Sequence, residues 1–290
     1  AATTARVAPL PYLLICAFVA NAASFVLPIS NPANLVIFGA QMPPLLQWLA
    51  LFTLPSLAAI LITFVALRWT QRHALGRAVH EDIAQPPLSI TGRCVGAAIA
   101  ATGVALLTAS AFDQPLGPPT FLCGVGATLA VLLIGRRSPW PVLRDVAWGV
   151  LPLVAGLFIL VDAVERTGVL HPLAAWLGEA AATAPRQTTV VSGVAVALLS
   201  NVVNNLPAGL LAATIGQSAE LPLRVTAGLA IGVDLGPNLS ITGSLATILW
   251  LIALRREGLS IAAWQFLRLG ILVMPPALLA ALLMLALSPV

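Results

Sequence analysis

Charge is scarce in this chain. Of its 290 residues only 8% are Asp, Glu, Lys or Arg, against roughly a quarter in soluble domains, and the mean hydropathy is +1.00. A soluble globular domain is excluded. Lysine is absent altogether, so the net charge of +4 comes from arginine, and the arginines gather in a few loops instead of lining one face. That pattern argues against nucleic-acid binding and for loops that orient the chain in a membrane. Cysteine is nearly absent too: Cys16, Cys94 and Cys123 lie in separate segments with no CxxC pair, which excludes a disulfide framework and a zinc site. The start, AATTARVAPLPY, has no initiator Met and no cleavable signal pattern, as in a processed or incomplete chain.

What the chain has is long apolar runs. They recur at helix-spanning length, whereas a membrane barrel would show alternating segments of about ten residues, so the fold class is all-α, polytopic and transmembrane. Segments of this kind cover 8–29 with a continuation to 40, then 45–67, 93–112, 120–135, 146–164, 221–254 with an interruption, and 260–287. A discontinuous pair, 188–199 and 206–216, has arms of about 11 to 12 residues. Such arms are shorter than the roughly 20 residues a crossing needs and predict a re-entrant hairpin with its tip at SNVVNN. Counting arginines in short loops puts the 68–92 loop, RRSPWPVLRD and LRREG on the cytoplasmic side, with Arg166, Arg186 and Arg224 outside. Tryptophans fit that map as interfacial anchors, Trp69, Trp140, Trp148, Trp250 and Trp264 inside and Trp48 and Trp176 outside. Leu170, Leu173, Ala174 and Leu177 predict a short amphipathic helix along the outer interface.

Three polar interruptions break apolar stretches: VLPISNPANLVIFG (26–39), SNVVNNLP (200–207) and VDLGPNLSITGSLATILW (233–250). Unwound backbone at membrane depth survives only where protein buries it or a wet cavity receives it, so such breaks mark a place where something polar binds. Ser30, Asn31, Asn34, Ser200, Asn201, Asn204, Asn205, Asn238, Ser240, Thr242, Gly243 and Ser244 are the candidate substrate-binding residues, with neutral donors and acceptors on their side chains and, at Gly243, a flexible backbone. Half-helices beginning after Asn31 and Asn238 are expected to aim their positive ends at the site. Asp234 is the one carboxylate well inside an apolar span and is the candidate proton-coupling residue, taking up and releasing a proton as the cavity switches sides. Laying Asn21 over Asp234 aligns AFVANAASFVLPISNPAN with AIGVDLGPNLSITGSLAT without a gap, placing Asn31 on Ser244 and Asn34 on Thr247. In the charge-derived topology the two broken helices run in opposite directions, the inverted-repeat plan of many secondary transporters.

Other polar residues read more plainly. Asp162 and Arg166 stand four apart at a helix end, as in an ordinary surface pair. His73, His80, Glu81 and Asp82 read as solvated loop residues. Cys94 and Cys123 fall at opposite ends of neighbouring spans, on the order of 20 Å apart, which excludes a three-thiol site.

The stretches LPYLLICAFVANAASFVLPISNPANL, SNVVNNLPAGLL and GVDLGPNLSITGSLATILWLIALRREG resemble the arsenical pump membrane protein family of the ion transporter superfamily. Asn21, Ala22 and Ala23 stand where many members carry an acid and hydroxyls, and Pro32 interrupts the first motif. The resemblance implies a secondary transporter, not an enzyme: a multi-pass protein of the cell inner (plasma) membrane exporting arsenite or antimonite against proton entry by rocking or elevator-like alternation. It implies no cofactor and no metal, and it admits a separate ATPase subunit and a homodimer as partners. Members carry a further hairpin upstream. The chain is therefore expected to hold the end of a first repeat (1–67), a cytoplasmic loop (68–92) and a second repeat (93–290), with hairpin 188–216, broken helix 221–254 and last span 260–287. A second reading keeps the fold and makes the solute a dicarboxylate-type anion taken up with sodium. A third makes the chain a membrane fragment that does not transport.

Overall fold

The computed structural model describes residues 9–75, 89–112, 114–136, 138–146 and 148–289. These are mostly helical, with no strand among the described residues: α1 (Pro9–Ala22), α2 (Pro32–Phe38), α3 (Leu45–Thr70), α4 (Arg72–Leu75), α5 (Ile90–Ala111), α6 (Gly117–Ile134), α7 (Trp140–Asp145), α8 (Val150–Arg166), α9 (Leu170–Thr183), α10 (Pro185–Val203), α11 (Asn205–Ser218), α12 (Leu223–Leu235), α13 (Leu245–Arg256) and α14 (Ala263–Leu287). Helices α3, α5, α6 and α14 are each long and apolar enough to cross a bilayer. The chain is a polytopic helical membrane protein. His80, Glu81 and Asp82 lie outside the described residues, and His73 sits on α4.

Two compact units divide the chain. The smaller spans 44–46 and 82–156 and is built on α5 packed against α6, whose large side chains, among them Ile99, Val104, Phe121 and Leu133, are exposed as on a lipid-facing surface. The larger takes in 1–43, 47–81 and 157–290, and it contains all three polar breaks.

The core of the larger unit is a crossing of α10 and α12 so close that side chains are excluded. Gly228 and Gly232 on α12 and Gly236 at its C-terminal cap repeat every four residues along one face. A Cβ on Gly232 would sit 2.2 Å from the Gly193 carbonyl oxygen of α10, and one on Gly236 would sit 2.3 Å from Ser200 Oγ. Membrane helices lack a hydrophobic force between them, so small residues that let backbones touch supply the attraction instead. The α14 helix packs on both, burying Val273, Ala277, Ala281 and Leu282.

A second part of this core is aromatic. Phe25, Phe38, Trp48 and Phe52 are buried against one another, with Trp48 and Phe52 ring centroids 4.3 Å apart. Here the interfacial reading of Trp48 is corrected. Its ring is 0% exposed and its indole nitrogen donates to the Phe25 carbonyl at 3.1 Å. That carbonyl belongs to the non-helical stretch after α1, and a buried carbonyl needs a donor, so the indole serves the first break instead of the bilayer surface. Trp69, Trp140, Trp148, Trp176 and Trp264 are exposed. The α9 helix forms over the predicted segment but buries Ala174, Leu177 and Ala181, while Leu173 is exposed, because this face packs on α10 and α11. Arg166 and Asp162 form the expected pair, 2.8 Å apart and well exposed.

Candidate functional site

The first break is held open from within. After α1 the chain runs irregularly through 23–27, makes a 3-10 turn at Pro28–Ser30, and restarts at Pro32, whose missing N–H and fixed φ suit a first helical position. Asn31 caps α2 by accepting from the Ala33 amide at 3.0 Å. The last break behaves alike: α12 ends at Leu235, a 3-10 turn covers Gly236–Asn238, and α13 restarts after Ser244, which accepts from the Thr247 amide at 3.1 Å. Asn31 and Ser244 share extended backbone, φ −144 in both. Asn34 and Thr247 each stand three residues inside their helix, both buried, and Asn21 and Asp234 are each the last residue but one of the preceding helix. The sequence overlay therefore pairs positions of matching local geometry. One expectation is corrected: the second half-helix begins after Ser244, not after Asn238. Asn238 is turned inward, and residues 239–243 are held off helical geometry by bonds to the hairpin.

Those bonds come from the middle interruption. The helices α10 and α11 are separated by Asn204 alone and fold back on each other, since Ser192 and Ala195 line the same groove as Leu211 and Ile215 at matching distances from the turn. The observed helices are 19 and 14 residues long, longer than the predicted arms, because the chain stays helical up to Val203 and from Asn205. Asn204 carries φ +77 with ψ 154, backbone that only glycine adopts readily. Its amide donates to the Thr242 carbonyl at 2.9 Å, and the Asn205 N–H donates to the Gly243 carbonyl at 2.8 Å. Asn201 donates to the Ala197 and Gly236 carbonyls, at 2.8 and 3.0 Å, and its oxygen accepts from Ser240 Oγ at 2.7 Å. Thr242 Oγ1 donates to the Asn201 carbonyl at 3.4 Å. Gly243 permits this tip contact, for a Cβ there would lie 2.7 Å from Pro237 Cα.

Asp234 joins the first break to the last. It is 1% exposed, and Asn31 donates to its Oδ1 at 2.6 Å. Its Oδ2 is buried with no hydrogen-bond partner, and so is Oδ1 of Asn34, whose amide donates to the Ser24 carbonyl at 3.0 Å. A second bridge runs between the same breaks: Asn21 donates to Asn238 Oδ1 at 2.9 Å, and Asn238 donates to the Phe18 carbonyl at 3.1 Å. The sequence marked Asn21 as the alignment anchor and as standing where many family members carry an acid, and its burial beside an unwound segment goes with the partner it finds in Asn238.

Of the thirteen candidates, the structure joins Asn31 to Asp234, with Asn34 one turn along α2, and gathers Asn201, Asn204, Asn205, Ser240, Thr242 and Gly243 at the hairpin tip. Asn238 sits between, four residues from Asp234. Three hydroxyls are spent locally. Ser30 is exposed and accepts from the Leu27 amide, Ser200 is buried at the α10–α12 crossing and donates to the Ala197 carbonyl, and Ser244 is a helix cap.

Residues 1–239 match the sequence model of the citrate transporter family. The chain belongs to that family. Its curated relatives include the arsenical pump membrane protein of Escherichia coli (strain K12), 28% identical over 298 residues, an alignment covering 96% of this chain and 67% of the relative. The arsenical pump membrane protein of Yersinia enterocolitica is 27% identical over 287 residues with the same coverage. An uncharacterized transporter of Mycobacterium bovis is 34% identical over 171 residues, 53% of this chain and 38% of that one. This citrate transporter family member is thus a membrane transport protein by kinship, and the three breaks are its candidate site.

Proposed function

We propose that the chain belongs to a secondary transporter that exports arsenite or antimonite in exchange for protons, binding the solute between the hairpin tip and the two broken helices. The observation that carries this reading is the pair of buried acceptors without donors, Asp234 Oδ2 and Asn34 Oδ1. An unpartnered buried polar atom costs about 1 to 3 kcal/mol, and more when charged. A proton on Asp234, or a neutral solute rich in hydroxyls such as arsenous acid, supplies the donors these oxygens lack. Competition between the two for one cluster is the simplest coupling by exchange. The hairpin then acts as a re-entrant element that does not cross, and the matching breaks act as an inverted repeat around the membrane midplane.

A second reading, favoured by the family match, is transport of a carboxylate anion. Such an anion brings further acceptors to a cluster already short of donors, and no arginine is among the thirteen candidates. The first reading therefore ranks ahead.

Flux measurements separate them. Everted membrane vesicles containing the protein that carries this chain should accumulate arsenite when a proton gradient is imposed, and Asp234→Asn should abolish the accompanying proton movement. Unchanged proton movement in the variant would remove Asp234 from the mechanism. Sodium-dependent citrate uptake without arsenite flux would establish the second reading instead.

A further inference from the structure

A cavity of about 440 Å³ opens between the C-terminal parts of α2 and α11 and the N-terminal part of α12, lined by Phe38, Gln41, Ala213, Gln217, Glu220 and Thr226 among others. Gln41, Gln217 and Glu220 are exposed and give it a wettable mouth. Its floor is apolar, with Ile37 from α2 and Ala212 from α11.

The same three helices lead from this floor to the polar cluster. Beyond the cavity lining lie Asn34, one turn along α2 from Ile37, Asn205, about two turns along α11 from Ala212, and Asp234, about two turns along α12 from Thr226, all buried. Where floor gives way to cluster, Ile37, Gly209 and Val233 stand close together, all buried. A Cβ built on Gly209 would lie 3.6 Å from both Ile37 Cγ1 and Val233 Cγ1, so both side chains border the space the glycine leaves. Cavity lining and cluster are separated by about 4.5 Å along α2 and about 10 to 12 Å along α11 and α12, at 1.5 Å rise per residue. On the far side of the cluster Asn31 is half-buried and Ser30 is exposed. Asp234 therefore lies between two openings, one partly open at Asn31 and one shut by three residues.

We infer that the cavity is an aqueous vestibule to the Asp234 cluster and that Ile37, Gly209 and Val233 form the gate between them, shut in this conformation. This rests on the proposed role of the cluster, but the gate itself is a statement about access. Gly209 adds no side chain of its own, so the closure at this point rests on Ile37 and Val233 and a shift of α11 changes the space between them. The vestibule chemistry fits a small uncharged or cationic hydroxylated solute, since its ionisable lining residue is Glu220 and a dianion would be repelled there.

Cysteine accessibility tests this without any flux. In a background with Cys16, Cys94 and Cys123 replaced by alanine, single cysteines are placed at Ala213, on the cavity wall, and at Asn205, beyond the gate. Right-side-out and everted vesicles are exposed separately to a membrane-impermeant methanethiosulfonate, with fluorescence-detected gel filtration confirming folding. The Ala213 cysteine should react from one face only. From that face the Asn205 cysteine should react slowly, and Ile37→Ala should speed it by about tenfold or more, because a large-to-small change in a packed layer leaves a void the layer cannot close. Val233→Ala opens the same wall from the other helix and should act alike if Ile37→Ala fails to fold. An unreactive Ala213 cysteine, or an Asn205 cysteine indifferent to both gate variants, overturns the inference. The expected labelling with no arsenite flux would uphold the gate and overturn the proposed solute.

Discussion

Asn204 is the residue on which most of the hairpin geometry turns. Its backbone, in a region nearly reserved for glycine, costs on the order of 1 to 3 kcal/mol, and its amide repays part of that through the bond to the Thr242 carbonyl. Asn204→Ala keeps the strain and loses the bond, so it should lower thermal stability in detergent by about 1 to 3 kcal/mol. Asn204→Gly removes the strain along with the bond and should stay close to the parent. Equal melting of both variants would mean that the turn relaxes elsewhere. The presence of Asn204 among the polar tip residues was legible from sequence, but its dihedral was not, because asparagine at a break is equally at home as a cap, a ligand or a turn.

At the level of elements, the three breaks are bound into one lattice: the hairpin tip to residues 236–243, and the last break to the first through Asp234–Asn31 and Asn21–Asn238. Trp48 reinforces the first break from α3. Trp48→Phe keeps the aromatic packing and leaves the Phe25 carbonyl without its donor, a loss of about 1 to 3 kcal/mol that scanning fluorimetry should detect. Trp48→Phe melting with the parent would return the residue to a packing role. The breaks themselves were readable because proline, glycine and amides are rare enough in apolar sequence to stand out. What was not readable was which break each side chain served, since Ser30, Ser200 and Ser244 look like tip hydroxyls and are spent on their own backbones. Burial decides this, and periodicity carries no trace of it for helices surrounded on all sides. The spacing of Gly228, Gly232 and Gly236 was the overlooked signal for the α10–α12 crossing.

Over the whole molecule, the apolar composition led directly to a polytopic helical protein, and among the described residues four helices are long and apolar enough to cross a bilayer. The interrupted segments were recovered as pairs of shorter helices. Orientation rests on arginine placement, which makes a separate prediction: a cysteine replacing exposed Glu257, in the LRREG connection, should react with an impermeant thiol reagent in everted vesicles and not in right-side-out ones. Labelling in right-side-out vesicles instead would invert the whole map and with it the side on which the vestibule opens. The glycine crossing has a consequence for how this protein varies. Substituting every position in turn and sorting survivors should reveal a ladder of forbidden rungs, at 228, 232 and 236 on one helix and 193 on the other, with tolerant residues between. Because any added methyl meets backbone at these rungs, no compensating change nearby can rescue it, and the ladder should persist whatever solute a given lineage carries.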